Sequence, residues 1–583
     1  MISYGIKGGK YTMKIKKFFK SAISLAVITA VCLSGVLSFP VYAAKTNAEL
    51  DKRYWNLREP HEKALASKNN QDIVKTGEAI MSLFLGRAYP ENAEKKAADY
   101  LANDALEINI LSAVIMNVAR AYETLGWTNA AVKAYKLAAP FVEAYGKFNK
   151  TDETFRLTLI MNKISSYDVK SSVYAEVKGT DGDISYLSAK YEPKNGVIYG
   201  ESFSGDAKKN SAGYKNASGA VFYVIYETDT IESFDYLLKP LSEEKDIIQI
   251  AWNLKNEGGS LAGIVNQRAK IEKEAEYLKK LGTPVLLRFG AEMNVWEKAA
   301  DPEKYIEAFR FVAKIMKEKA PNVAMVWSVN SISAEGKNYG MFYPGDEYVD
   351  WVGVSLYCLK YFKGNKNQDD NTQSIYLTGK FSNPLRQLDP VVKLYGGKKP
   401  IMIAEGGIEN YSVINKTDET IWADAQMRLM YKFLPIVYPQ VKAVFYFNTF
   451  GDTRAQYRFT LFENEKINKL YDELTAGSYF IKKGQKAGGI SYKKLGAVTL
   501  PANAVTLFVY SPYIDRPNLV RTYTVDKKWS GTGDSQKLDL SSYSDGLHTI
   551  TIEVADSGSL LETIIIYVKK TGPTVTVSDT PLK

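Results

Sequence analysis

The chain has 583 residues, with 75 Lys and Arg against 65 Asp and Glu, two cysteines and two histidines. That length exceeds one ordinary domain several-fold and predicts two to four domains with at least one sizeable core. Six lysines and no acid lie in residues 1–43, so the formal charge of +10 falls to +4 without them. So small an excess argues against nucleic acid or another polyanion as a partner.

From Met13 the chain reads MKIKKFFKSAISLAVITAVCLSGVLSFPVYAAK: lysines, a long apolar run, then small residues at Val41 and Ala43. This is the pattern of a secretory signal cleaved after Ala43, and it predicts an extracellular protein, secreted or held at the cell surface. A membrane-anchor helix is the alternative, against which Ser34, Gly35 and Pro40 interrupt the run. Residues 1–12 form an extension upstream of the natural start of this signal. Cleavage would leave Cys358 as the one cysteine, so no intramolecular disulfide is expected and stability must come from the core. His61 and His548 both lie far from the middle of the chain. Ser-His-Asp and Cys-His chemistry and His-ligated zinc are thereby excluded for the central region.

Residues 45–168 read as helices. In NVARAYETLGWTNAAVKAYKLAAPF (117–141), small residues at Ala119, Ala131 and Ala138 alternate with Val118, Tyr122 and Tyr135. The segment resembles a tetratricopeptide-type helical hairpin, in which small residues let two helices approach closely. A structural cap or spacer is the first reading of this region, and a protein-binding groove the second.

From about residue 193 the rhythm changes. Apolar strands are predicted at 196–203, 220–227, 247–253, 284–292, 323–330, 349–357, 400–407 and 442–448, with amphipathic segments such as 264–282 and 301–319 between them. Asp301 and Pro302 suit the N-cap and first turn of the latter. Eight strand-helix units in residues 193–477 favour a closed (β/α)8 TIM barrel, with an open doubly wound sheet as the alternative. The Gly- and Lys-rich residues 478–496 read as a linker. Residues 497–571 alternate as a small β-sandwich, and DGLHTITIEVAD within them resembles immunoglobulin-like modules. Such a module either spaces domains or contacts glycan or cell wall. The whole is a multidomain chain of α-helical region, barrel and β-sandwich.

In a parallel barrel, residues at the carboxyl ends of the strands form the active face. Glu292 and Glu405 end the predicted fourth and seventh strands, each after an otherwise uncharged run, so ionising them there needs partners or a use. Two carboxyls facing one another across a barrel mouth suit glycosidic bond cleavage. Helix capping and ion pairing are the competing roles, and Glu201, Glu227 and Asp350 look like acids of that kind.

The segments LLRFGAEMNVWE, YPGDEYVDWVGVSLY and IMIAEGGIE together resemble glycoside hydrolase family 26, the retaining β-mannanase family of a clan of barrels whose acid/base and nucleophile end strands 4 and 7. The resemblance spans about residues 193–477. It implies Glu292 as acid/base, Glu405 as nucleophile, and Tyr357 as a donor that orients Glu405 and favours its ionised form. Arg288 would lie inside the barrel below the acidic mouth, on the pleat face of Glu292, either helping to hold Glu405 charged or paired structurally with another acid. Trp252, Trp296 and Trp327, at or just beyond strand ends, offer faces for sugar rings, although a tryptophan within a barrel strand can equally fill core, an alternative that stands level for Trp327; Asn294 of the E-M-N motif joins them as a substrate contact. The chain departs from the family at Ala291 and Asn253, where histidines are usual, at Trp296, which comes one residue early, and in the FYFN end of the eighth strand.

The resulting expectation is a secreted retaining glycoside hydrolase acting on a β-linked, mannan-like polysaccharide. No metal or cofactor is needed, since NQDDN (367–371) and DGD (181–183) lack a complete ligand spacing. The alternatives are a non-catalytic glycan-binding surface protein and an adaptor working through the helical region.

Overall fold

The computed structural model describes residues 48–583 apart from 86–92, 104, 126, 168–169, 203–211, 256–260, 296–300, 334–336, 361–382, 449–456 and 513–518. The signal-like segment and Trp296 therefore lie outside the described residues. The chain divides into two compact units, residues 1–167 and 168–583.

In the first unit the described residues form helices Ala48–Ala66, Asn70–Leu85, Ala93–Asn103, Ala105–Thr124, Thr128–Asn149 and Thr154–Tyr167. Ala119, Ala131 and Ala138 are fully buried, as close packing of two helices requires. At Gly77 even a Cβ would come within 2.3 Å of a Val118 methyl, so the second helix depends on a missing side chain to approach the fourth.

The second unit is built around eight parallel strands: β1 Val197–Ser202, β2 Gly219–Ile225, β3 Ile247–Asn253, β4 Val285–Phe289, β5 Val323–Asn330, β6 Trp351–Cys358, β7 Ile401–Ile408 and β8 Val441–Tyr446. Each pairs with the next, and β8 pairs with β1 (Ala443 opposite Ile198, Tyr446 opposite Glu201), so the sheet closes as a barrel. The strands are nearly uniformly apolar because helices cover them outside and side chains fill them inside. Ile198, Val221, Ile247, Leu286, Ala324, Met402 and Ala443 pack together in the lower lumen. Outside, helix Pro302–Lys319 starts as expected: the Asp301 side chain accepts from the Lys304 N–H at 3.1 Å, with Pro302 in the first turn.

The segment 478–496 is not a linker. Phe480–Ile481 adds to β1 beside Val197 and Ile198, and Ile490–Lys494 pairs with strand Ser172–Lys178, which precedes the barrel. Ser172–Lys178 also pairs with Ala504–Tyr510, so one sheet of the β-sandwich takes strands from both sides of the barrel in sequence. The glycines there serve close packing: a Cβ at Gly488 would stand 2.9 Å from the Tyr479 carbonyl oxygen. Tyr174, Phe508 and Tyr510 of the sandwich belong to the same apolar core as the barrel's outer layer, so the two are packed together.

Candidate active site

Strand β4 stops at Phe289, three residues short of the expected end, and Gly290 and Glu292 both take left-handed backbone conformations, φ +57° and +60°. A left-handed glutamate costs about 1–2 kcal/mol, and such residues concentrate at functional sites. Here the Glu292 N–H donates to the Ser328 carbonyl (2.9 Å), and its own carbonyl accepts from Val295 N–H (3.0 Å). The turn, rather than strand pleating, sets the direction of the carboxylate. Arg288 nonetheless approaches it, with Nη2 4.0 Å from Glu292 Oε1.

Glu405 reaches the barrel mouth by a different device. Ile403 lies on the outward face and Ala404 in the lumen, so strict alternation would send Glu405 outward. Register shows otherwise: Val354 pairs with Ile403 but Ser355 with Glu405, and the β8 side slips at the same place. A β-bulge therefore turns two successive residues, Ala404 and Glu405, inward. Gln249, buried on β3, fixes the bulge by donating Nε2 to the Ala404 carbonyl at 2.7 Å.

Both oxygens of Glu405 then receive donors. Arg288 Nη1 gives a 2.6 Å hydrogen bond to Oε2, and the Tyr357 hydroxyl donates to Oε1. Burial first, and the charge of Glu405 second, push the Tyr357 phenol far above its usual pKa, so it stays a donor at all ordinary pH. Arg288 is 1% exposed, and its remaining donors meet Ser328 Oγ (2.9 Å) on β5 and Ser355 Oγ on β6. A fully buried guanidinium is tolerable because each of its three nitrogens donates to a carboxylate or hydroxyl. Glu292 Oε1 accepts from Asn330 Nδ2 at 3.2 Å.

A cleft of about 360 Å³ opens above this network, and Glu292, Glu405, Arg288 and Ala291 line it together with Tyr223, Asn253 and Lys255. Asn253 and Ala291, the two positions where the resemblance leads one to expect histidine, thus both face the cleft.

Three expected substrate contacts do not reach the cleft. Trp252 is fully buried against Tyr226 and Phe289, ring centroids 4.9 and 5.7 Å away, and Trp327 against Tyr343 and Tyr395 at 4.9 and 5.2 Å. Both lie on the outward pleat face, opposite to lumen residues Ala251 and Val326, and fill core between sheet and helices. Asn294 is also fully buried; its amide donates to the Asn330 carbonyl (2.8 Å) and Ser333 Oγ (3.0 Å) and accepts from the Asn330 N–H (2.9 Å). It braces Asn330, which in turn meets Glu292.

Glu227, Glu201 and Asp350 make local hydrogen bonds: Glu227 accepts from Lys255 N–H, Asp350 from Met325 N–H, and buried Glu201 from Asn448 Nδ2 at 2.6 Å. Sequence reasoning missed Ser328, Ser355, Gln249, Asn330 and Tyr223. The signal available was a polar residue at an inward position of an otherwise apolar strand.

Residues 201–427 match the family model described as glycosyl hydrolase family 26. Among curated proteins, the chain is 25% identical over 187 residues to the β-1,3-xylanase TXYA of a Vibrio species, covering 28% of this chain and 36% of that protein. It is 32% identical over 94 residues to a β-1,3-xylanase of an Alcaligenes species, covering 15% of this chain and 20% of that one. The chain thus spans only 36% and 20% of the length of these two curated relatives. Similar solved structures include a GH26 β-mannanase from Bacteroides ovatus (16% identity, TM-score 0.36, 51% of this chain and 92% of that one). The catalytic domain of an endo-β-1,4-mannanase from Bacillus sp. JAMB-750 is another (15% identity, TM-score 0.36, 52% and 96%). Over residues 201–427, from the end of β1 past β7, the barrel of this chain is thus similar to glycosyl hydrolase family 26.

Proposed function

We propose that the protein is a secreted retaining glycoside hydrolase that cleaves a β-linked polysaccharide at the mouth of its barrel. The observation that carries this reading is the pair Glu292 and Glu405 within 4.0 and 2.6 Å of one buried guanidinium, at the wall of an open cleft. Carboxyls gathered on a single Arg side chain stand close together. That favours the separation of about 5 Å typical of retaining enzymes over the wider spacing of inverting ones.

In this reading Glu405, held by Arg288 and Tyr357, attacks the anomeric carbon while Glu292 gives its proton to the departing glycosidic oxygen. Glu292 then takes a proton from water, whose oxygen attacks the same carbon and releases Glu405. The sugar leaves with its original anomeric configuration. The signal-like N-terminus supports action outside the cell. The names of the relatives make β-1,3-xylan and β-1,4-mannan the first substrates to assay.

The test is release of reducing ends from both polymers by the wild type, Glu292→Ala and Glu405→Ala. Both variants should lose activity; full activity in either removes its residue from the mechanism. Binding of a polymer by the wild type without product on long incubation would favour a non-catalytic glycan-binding protein.

A further inference from the structure

Tyr223 projects from β2 into the cleft that Glu405 lines. Its ring stands edge-on to Phe447 at 6.0 Å and 84°, and Phe447 in turn packs on Tyr357 at 6.0 Å, so two phenols flank the nucleophile position with one phenylalanine wedged between them. Their hydroxyls differ in one respect. Tyr357 donates to Glu405, whereas the Tyr223 hydroxyl is shielded from solvent and has no hydrogen-bond partner meeting ordinary geometry. It lies close enough to Glu405 for that carboxylate, after burial itself, to raise its pKa well above the usual phenol value, so it too remains a protonated donor. Arg288 and Tyr357 each hold one oxygen of Glu405, and the Tyr223 hydroxyl faces the same carboxylate as a third, less well aligned donor.

A buried hydroxyl without a partner is disfavoured, and phenylalanine at the same place would avoid the cost. Position and chemistry together give it a use, because the group beside the nucleophile during cleavage is the sugar hydroxyl on the carbon next to the anomeric centre. Hydrogen bonds to that hydroxyl strengthen as the transition state forms. We propose that Tyr223 is a substrate-contacting residue whose hydroxyl bonds the 2-hydroxyl of the sugar being cleaved, next to Glu405. This rests on the glycosidase reading. It adds to it a contact on the second strand that neither carboxylate supplies, and it selects for sugars carrying an oxygen there.

The experiment compares wild type and Tyr223→Phe on β-1,3-xylan and β-1,4-mannan, alongside thermal unfolding of both proteins. The expected result is an unchanged or raised Tm with kcat/KM reduced roughly 10- to 100-fold, mostly in kcat, because the bond tightens in the transition state. On an aryl glycoside lacking the 2-hydroxyl the difference between the two proteins should shrink to less than about threefold. Equal kinetics in an active pair overturns this inference alone. So does a lower Tm, which would reveal a structural partner for the hydroxyl. Inactivity of the wild type on both polymers overturns the glycosidase reading and this contact with it.

Discussion

Among the described residues of the second unit, two places bury an arginine against acid, and they are built in opposite proportions. At the barrel mouth one cation, Arg288, faces two acids, Glu405 at 2.6 Å and Glu292 at 4.0 Å, beside an open cleft. Where the sandwich meets the barrel, one acid, Asp534, faces three cations: Arg521 at 3.1 Å, Lys432 at 3.6 Å and Arg428 at 4.0 Å. Phe433 packs on Tyr510 at 5.7 Å in the same junction. Buried charge by itself therefore does not mark a functional site. An excess of acid over base next to space for a ligand does, because the acids then have protons and lone pairs that the protein has not fully used.

The largest expected effect separates the two places by chemistry. Glu292→Ala should cost about 10² to 10⁴ in kcat/KM, and Glu405→Ala at least as much, measured as reducing ends released, whereas Asp534→Ala should leave kcat/KM within about twofold. An Asp534→Ala enzyme as impaired as the glutamate variants would break the contrast.

Stability should sharpen it next. Arg288→Met leaves Glu405 buried without its strongest donor and should lose about 3–5 kcal/mol by chemical denaturation. Asp534→Ala, in a partly solvated junction with Arg428 also paired to Asp424 at 2.7 Å, should lose roughly 1–3 kcal/mol. Reversal of that order would mean that the sandwich junction, not the mouth, holds the costlier charge.

Tyr357→Phe removes one neutral donor from a carboxylate, worth about 1.5–3 kcal/mol, so kcat/KM should fall roughly 10- to 100-fold with little change in KM.

The smallest effect concerns an acid just beyond the mouth. Glu409 follows β7, is buried, and accepts from the Lys360 N–H at 2.9 Å, while Lys360 Nζ pairs with Glu419. Burial first, then the charge of Glu419, raise the Glu409 carboxyl to about 7. Its folded form prefers the proton, so the wild type should lose stability as pH rises from about 4.5 to 7. Glu409→Gln keeps an acceptor for Lys360 without the charge. Its Tm should match the wild type near pH 4.5 and exceed it by a few degrees above pH 7. A gap that grows towards acid pH would reverse the sign and refute the assignment.

The barrel was legible because its strands are apolar runs at regular spacing, and Glu292 and Glu405 because each interrupts such a run. What pattern could not reveal were departures from regular geometry. By alternation with Ile403, Glu405 belongs outside the barrel, and only the bulge at Ala404, held by Gln249, brings it in. Glu292 was placed on a strand that stops at Phe289. Trp252 and Trp327 show the opposite case: they obey alternation, which puts them outside in the core-filling role, and the sugar-facing reading rested on their nearness to strand ends alone. The segment 478–496 looked like a linker because its glycines and lysines are loop residues by composition. Its strands form only against partners about 280 and 320 residues earlier, Val197–Ile198 and Tyr174–Lys178, which no local window can see.

The central claim is that Glu405 forms a covalent bond to the sugar while Glu292 handles the proton. A 2-deoxy-2-fluoro glycoside with a good leaving group slows release of that intermediate, and peptide mass spectrometry of the inactivated enzyme locates it. The account predicts one added glycosyl group, carried on Glu405. A label on another carboxylate, or inversion of configuration in the product of an active enzyme, would contradict it.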